Sequence, residues 1–149
     1  GFGYAKPVEV RMRKFKKPKR DMALVALAGP LCNLLQSLVL LFIYNALYYF
    51  GSSSENIMMT YMGMFFFYAA VINVNLAVFN LLPIPPLDGS RLATALLPAK
   101  YYYKIMQYER YIMIGLFVLL FTGILSTPLS LLSGAVISLL NNVASIPFA

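Results

Sequence analysis

The chain has 149 residues, of which 60% are hydrophobic and 11% charged, with a formal net charge of +7 and no histidine. A soluble domain carries about 25% charged residues, so this composition excludes an ordinary water-exposed globule and points to a membrane protein. The length is that of one domain, and no second domain is expected.

The N-terminal arm holds eight of the 12 Lys and Arg residues within its first 20 positions. Within it Val8, Val10 and Met12 alternate with Glu9, Arg11 and Arg13. A period of two predicts a short strand with one apolar face. Pro7 at its start and the basic residues along it suit an edge strand. Such an edge can accept an extended peptide by strand addition. The chain begins at Gly1 rather than Met, and it is expected to be the remainder of something longer.

Beyond the arm, the acids Asp21, Glu55, Asp88 and Glu109 and their basic neighbours bound three charge-free runs, 22–54, 56–87 and 111–149. Each exceeds the roughly 20 apolar residues needed to cross a bilayer. Spans are predicted at about 22–49, 57–82 and 111–140. The first run is too long for a signal peptide and has no small-residue cleavage site after it. The fold class is therefore an all-α membrane protein of about three transmembrane helices, with the short N-terminal strand or hairpin in front, forming a single membrane domain over 1–149.

The first span opens Ala28-Gly29-Pro30-Leu31-Cys32-Asn33. Gly29 and Ala28 allow another helix to approach closely, and Asn33 can hydrogen-bond across the contact. Pro30 removes one backbone hydrogen bond and is expected to bend or restart the helix. The lone Cys32 can form no internal disulfide and reads as a small packing residue. After this span, GSSSEN (51–56) has the length of a tight connection between antiparallel spans.

The second span carries Asn73, Asn75 and Asn80, then runs into Pro83, Pro85 and Pro86. Residues 73 and 80 share a helix face and 75 lies on another. The prolines cannot continue an α-helix, so backbone groups around 81–87 are expected to be unpaired. Irregular backbone at membrane depth persists only where protein buries it or a wet cavity receives it. Asp88 then heads the short apolar stretch 90–97. It reads either as the N-cap of that helix or as a metal ligand or proton carrier in a wet cavity. The residues alone leave both open.

The remaining basic residues, Arg91, Lys100, Lys104 and Arg110, lie between the second and third spans. The positive-inside rule places the N-terminal arm and the 88–110 connector in the cytoplasm, and the 51–56 turn and the C-terminus outside. Tyr101, Tyr102, Tyr103, Tyr108 and Tyr111 gather near one boundary, as an aromatic belt would. The basic cluster adjoins a span, so contact with anionic lipid headgroups accounts for it and nucleic acid is not an expected partner.

FNLLPIPPLDG (79–89) resembles the C-terminal signature of the site-2 protease family, the intramembrane zinc metalloproteases. GYAKPVEV (3–10) and RDMALVALAGPLCN (20–33) resemble the segments that precede and open the next helix in compact prokaryotic members. The blocks stand in the family's order and spacing, and the resemblance covers at least residues 1–98.

The resemblance implies one zinc ion, held by the two histidines of an H-E-x-x-H helix and by an aspartate that corresponds to Asp88. The glutamate between the histidines would be the general base. Asn80 would bind substrate backbone near the scissile bond, and the strand with Val8 and Val10 would hold the substrate extended. Pro83 to Pro86 would turn the chain so that Asp88 reaches the metal. Substrates would be membrane proteins with a transmembrane segment, cut near the cytoplasmic side, and a prokaryotic cell membrane is the expected location.

Two departures stand out. The chain contains no H-E-x-x-H, so alone it is expected to be inactive, with the missing segment lying upstream. Ser90 follows Gly89 where members usually carry a second glycine. The alternatives are a non-catalytic family member that binds transmembrane segments and, behind it, a proton-coupled transporter fragment with Asp88 as carrier and Asn73 and Asn80 along its path.

Overall fold

The computed structural model describes residues 18–51, 57–96 and 107–148. Among these every regular element is helical and there is no strand. The elements are α1 (Pro18–Gly51), α2 (Ile57–Asn80), α3 (Asp88–Leu96), α4 (Glu109–Phe121) and α5 (Ser126–Ser145), followed by a 3-10 turn, Ile146–Phe148. The expected strand with Val8 and Val10, the 52–56 turn and Tyr101 to Tyr103 lie outside the described residues. Among the described residues three helices are long and apolar enough to cross a membrane: Arg20–Gly51, Ile57–Asn80 and Ser126–Phe148.

α1 and α2 form the central pair. The buried residues of α2 are Gly63, Ala70, Val74 and Ala77. Their spacing of three, four and seven puts them on one face, and their small size lets the backbones approach. Ser37 Oγ on α1 donates to the Ala70 carbonyl at 2.5 Å. Seven residues further along α1, the Tyr44 ring lies 3.7 Å from where a Cβ on Gly63, seven residues back along α2, would stand. The two contacts fix an antiparallel register. α1 runs unbroken through Pro30, whose side chain is fully buried.

α5 packs on both members of this pair. Ala144 joins Leu41 and Ala70 in a buried cluster flanked by Leu38, Phe67 and Leu140. Asn45 Nδ2 donates to Asn141 Oδ1 at 3.0 Å and also to the Leu41 carbonyl at 2.8 Å. Phe148 closes this end with its ring 5.2 Å from Phe42 and 5.8 Å from Tyr49.

The third predicted span, 111–140, is not one helix. It divides into α4 and α5 at residues 122–125. Gly123 takes a φ of +73°, the left-handed conformation in which helices commonly stop. The Thr122 hydroxyl bonds the Leu119 carbonyl at 2.9 Å and the Gly123 amide bonds that of Leu120 at 3.1 Å. Pro128 then sits in the first turn of α5, where a missing N–H is tolerated. Hydropathy runs unbroken through this stretch, but backbone conformation does not. The 13 residues of α4 reach only about 20 Å, short of the roughly 30 Å hydrocarbon core. α4 also makes no extensive contact with the other described helices.

Candidate functional site

The site is assembled where α2 ends. Only four residues from 81 to 87 have an amide hydrogen, because Pro83, Pro85 and Pro86 have none. Leu81 N–H bonds the Ala77 carbonyl at 3.1 Å, Leu82 N–H that of Phe79 at 3.1 Å, and Leu87 N–H that of Ile84 at 2.9 Å. The expectation of unpaired backbone here is therefore corrected for the donors; of the carbonyls from 81 to 87, those of Ile84 and Leu87 accept a backbone bond in this turn. The prolines that break the helix also remove the donors that the break would have orphaned. Pro85 is buried, Pro83 and Pro86 are exposed, and the Pro85–Pro86 peptide is cis.

The turn delivers the chain into α3, whose first residue is Asp88. Gly89 is required by close approach. A Cβ at this position would overlap the carbonyl groups of Leu81 and Leu82. Ser90 is buried and its hydroxyl donates to the Leu87 carbonyl at 2.7 Å. The serine that replaces the family's usual second glycine thus fastens the start of α3 to the turn before it.

α3 packs on α1. There the carboxylate of Asp88 meets Gly29: a Cβ on Gly29 would stand 3.4 Å from Asp88 Oδ2. Asp88 is half-buried. No capping hydrogen bond from its side chain to the α3 amides is formed among the described residues, and the Ser90 amide turns instead to the Leu87 carbonyl at 3.0 Å. The carboxylate is left beside Gly29, which has no side chain to offer it.

The other predicted residues divide around this point. Asn80 is the last residue of α2 and is half-buried, without a hydrogen bond from its side chain among the described residues. Asn73 donates to the Ala69 carbonyl of its own helix at 2.9 Å, which satisfies it locally. Asn33 lies one turn beyond Gly29 on α1 and is half-buried, also without a described side-chain hydrogen bond. Ser37 and Asn45 each donate a hydrogen bond that crosses between helices, and neither is singled out by the sequence. An asparagine inside an apolar run was the available signal for Asn45 and Asn141, but nothing in sequence pairs them. Val8 and Val10 lie outside the described residues.

Among the described residues no three or more His, Cys, Asp or Glu side chains come together as a metal-binding group. Asp88 fits one oxygen ligand of a zinc site, and a complete set needs donors that the described residues do not add.

Residues 46–123, just over half of the chain, match Peptidase family M50. The chain belongs to peptidase family M50. This is the site-2 protease family whose motifs appear at 79–89. Among M50 relatives, "Putative zinc metalloprotease YwhC" of Bacillus subtilis (strain 168) is 38% identical over 122 residues, a match taking in 82% of this chain and 56% of that protein. "Membrane metalloprotease ARASP, chloroplastic" of Arabidopsis thaliana is 62% identical over 32 residues, 22% of this chain and 7% of that protein. "Putative zinc metalloprotease all3971" of Nostoc sp. is 41% identical over 66 residues, 39% of this chain and 18% of that protein. The chain thus spans little more than half the length of the first of these relatives. No solved structure matches it.

Proposed function

We propose that this chain is the C-terminal part of an intramembrane zinc metalloendopeptidase that cuts transmembrane segments near the cytoplasmic side. The observation that carries the reading is the placement of Asp88. Its carboxylate heads α3, faces the bare backbone of Gly29, and has no hydrogen-bond partner among the described residues. A half-buried carboxylate beside membrane-length helices is costly unless something binds it. The family names of the relatives add zinc as the binding partner.

In this reading Asp88 is the third ligand, and two histidines and a general-base glutamate come from an H-E-x-x-H segment of the same protein outside these residues. When bound, zinc polarises the scissile carbonyl and lowers the pKa of its water to about 7. This chain's own contribution is placement. The proline turn carries the aspartate back against α1, Gly89 lets α3 start directly under the Leu81 and Leu82 carbonyls, and Ser90 locks that start. Asn80, at the end of α2, is positioned to hydrogen-bond the backbone of a peptide drawn toward Asp88. In the same reading the N-terminal arm and the basic connector face the cytoplasm, and the substrate is a membrane protein whose transmembrane segment is held extended by the segment that contains Val8 and Val10.

With no histidine, the 149 residues alone are expected to be inactive. The same observation favours a second reading, a family member that binds transmembrane segments without cutting them. The deciding experiment expresses the protein from its full reading frame and measures zinc content and cleavage of a single-span reporter, with and without Asp88→Ala. Zinc and cleavage lost together with Asp88 support the protease. A wild-type protein that binds the reporter with neither zinc nor cleavage supports the second reading.

A further inference from the structure

The buried face of α1 is the stripe Ala26, Pro30, Ser37 and Leu41, recurring at helical spacing. Asn33 falls between Pro30 and Ser37 along the helix but at one edge of that stripe, and it is half-buried where they are fully buried. The packed stripe therefore has its margin at Asn33. Ser37 bonds Ala70, Asn45 bonds Asn141 and Asn73 bonds Ala69, while Gln36 and Asn75 are exposed. Asn33 and Asn80 make no such bond among the described residues. No side-chain nitrogen or oxygen there is both buried and unpartnered. This fits amides that lie at the margin of the packing rather than sealed within it.

Depth along the bundle relates these two amides to Asp88. Asn33 is four residues beyond Gly29, about 6 Å along α1 at 1.5 Å per residue. Carrying the Ser37–Ala70 and Tyr44–Gly63 register down the antiparallel pair sets Asn80 level with Leu27, about 3 Å to the other side of Gly29. The carboxylate of Asp88, held at Gly29, thus lies in depth between two carboxamides about 9 Å apart. An extended peptide rises about 3.3 Å per residue, so that interval corresponds to about three residues of unwound chain.

We propose that Asn33 is a second substrate-binding residue of this site, an amide on α1 that holds the unwound peptide backbone on the side of Asp88 opposite Asn80. A carboxamide has both a donor and an acceptor, so it can replace the hydrogen bonds that a helix loses on unwinding, whatever the side chains of the substrate. The inference rests on the functional reading above for its substrate class. It does not depend on catalysis, because a protein that only binds transmembrane segments would need the same grip.

The test uses the protein expressed from its full reading frame in membranes. A photo-crosslinking residue is placed at 33, at 80, or at Leu35, which is 63% exposed and serves as the outward-facing control. The probe is a synthetic single-span peptide of about 25 apolar residues with an Asn-Gly pair in its membrane-embedded half. Crosslinks at 33 and 80 well above those at 35 are expected. Crosslinking at 80 with only control levels at 33 overturns the proposal.

A second measurement covers substitutions that disturb folding. In steady-state cleavage, Asn33→Ala is expected to lower kcat/KM about tenfold, mainly through KM, with zinc content unchanged and partial recovery in Asn33→Gln. Unchanged kinetics in Asn33→Ala overturn the proposal. Retained zinc and cleavage in Asp88→Ala would instead overturn the metal reading, and the crosslink at 33 would still decide this one.

Discussion

Gly29 on α1 and Asp88 at the head of α3 are in contact across the helix interface, 3.4 Å separating Asp88 Oδ2 from the place where a Gly29 Cβ would stand. That distance is an ordinary van der Waals contact, so one methyl group fits, whereas a branched side chain brings further atoms against the carboxylate. Gly29→Ala is expected to keep zinc content and turnover within about threefold of wild type, whereas Gly29→Leu displaces the carboxylate and costs more than about tenfold. Zinc analysis and reporter cleavage on the full-length protein check this. Equal behaviour of the two variants would mean that the carboxylate does not depend on position 29.

Asp88 itself gives the larger effect. Asp88→Ala is expected to reduce cleavage by more than about a hundredfold, beyond the 10–100-fold typical of changes to groups that merely support a metal ligand. Membrane insertion should be preserved, because the three long helices owe their insertion to apolar length rather than to this residue. Asn80→Ala should slow turnover while zinc content stays near wild type. A parallel loss of zinc would make Asn80 structural.

Much of this was legible in the sequence, for identifiable reasons. α1 and α2 announce themselves as charge-free runs long enough to span, and the predicted 22–49 and 57–82 fall within a few residues of the helices. The position of Asp88 after a proline turn is likewise local information. What was not legible is contact. The partner of Ser37 is a backbone carbonyl, which every residue has, and Asn45 meets an asparagine 96 positions away. Gly123 shows a different limit. Hydropathy averages over a window, and one glycine in the left-handed conformation changes direction without changing that average.

Gly89 is the most constrained glycine of the site. A methyl group here would overlap two backbone carbonyls, which cannot rotate away as a flexible side chain could. Gly89→Ala is expected to destabilise the protein by about 2 kcal/mol or more, as overpacking against rigid neighbours does. Ser90→Ala, which removes only the bond to Leu87, should cost about 1 kcal/mol. Thermal unfolding in detergent, followed for both variants, ranks the two, and a reversed order would argue against the close approach.

The pairing of Asn45 with Asn141 fastens α5 to the central pair, and Asn45 has a second acceptor in the Leu41 carbonyl. Bonds of this kind between membrane helices average about 0.6 kcal/mol in double-mutant cycles and reach about 1.7. A cycle of Asn45→Leu and Asn141→Leu should give a coupling in that range. A coupling near zero would show that each amide finds another partner when its neighbour is removed.

Gly123 separates α4 from α5, and its φ of +73° is one that side chains with a Cβ resist. No neighbour is close: Ser126 Oγ, at 3.9 Å, is the nearest atom to an added Cβ. The penalty for Gly123→Ala is therefore conformational rather than steric, about 1–2 kcal/mol. Asn adopts the same conformation more readily, so Gly123→Asn should recover part of the loss. If both variants were as stable as wild type, the simplest explanation would be that α4 and α5 join into one continuous helix once position 123 favours it.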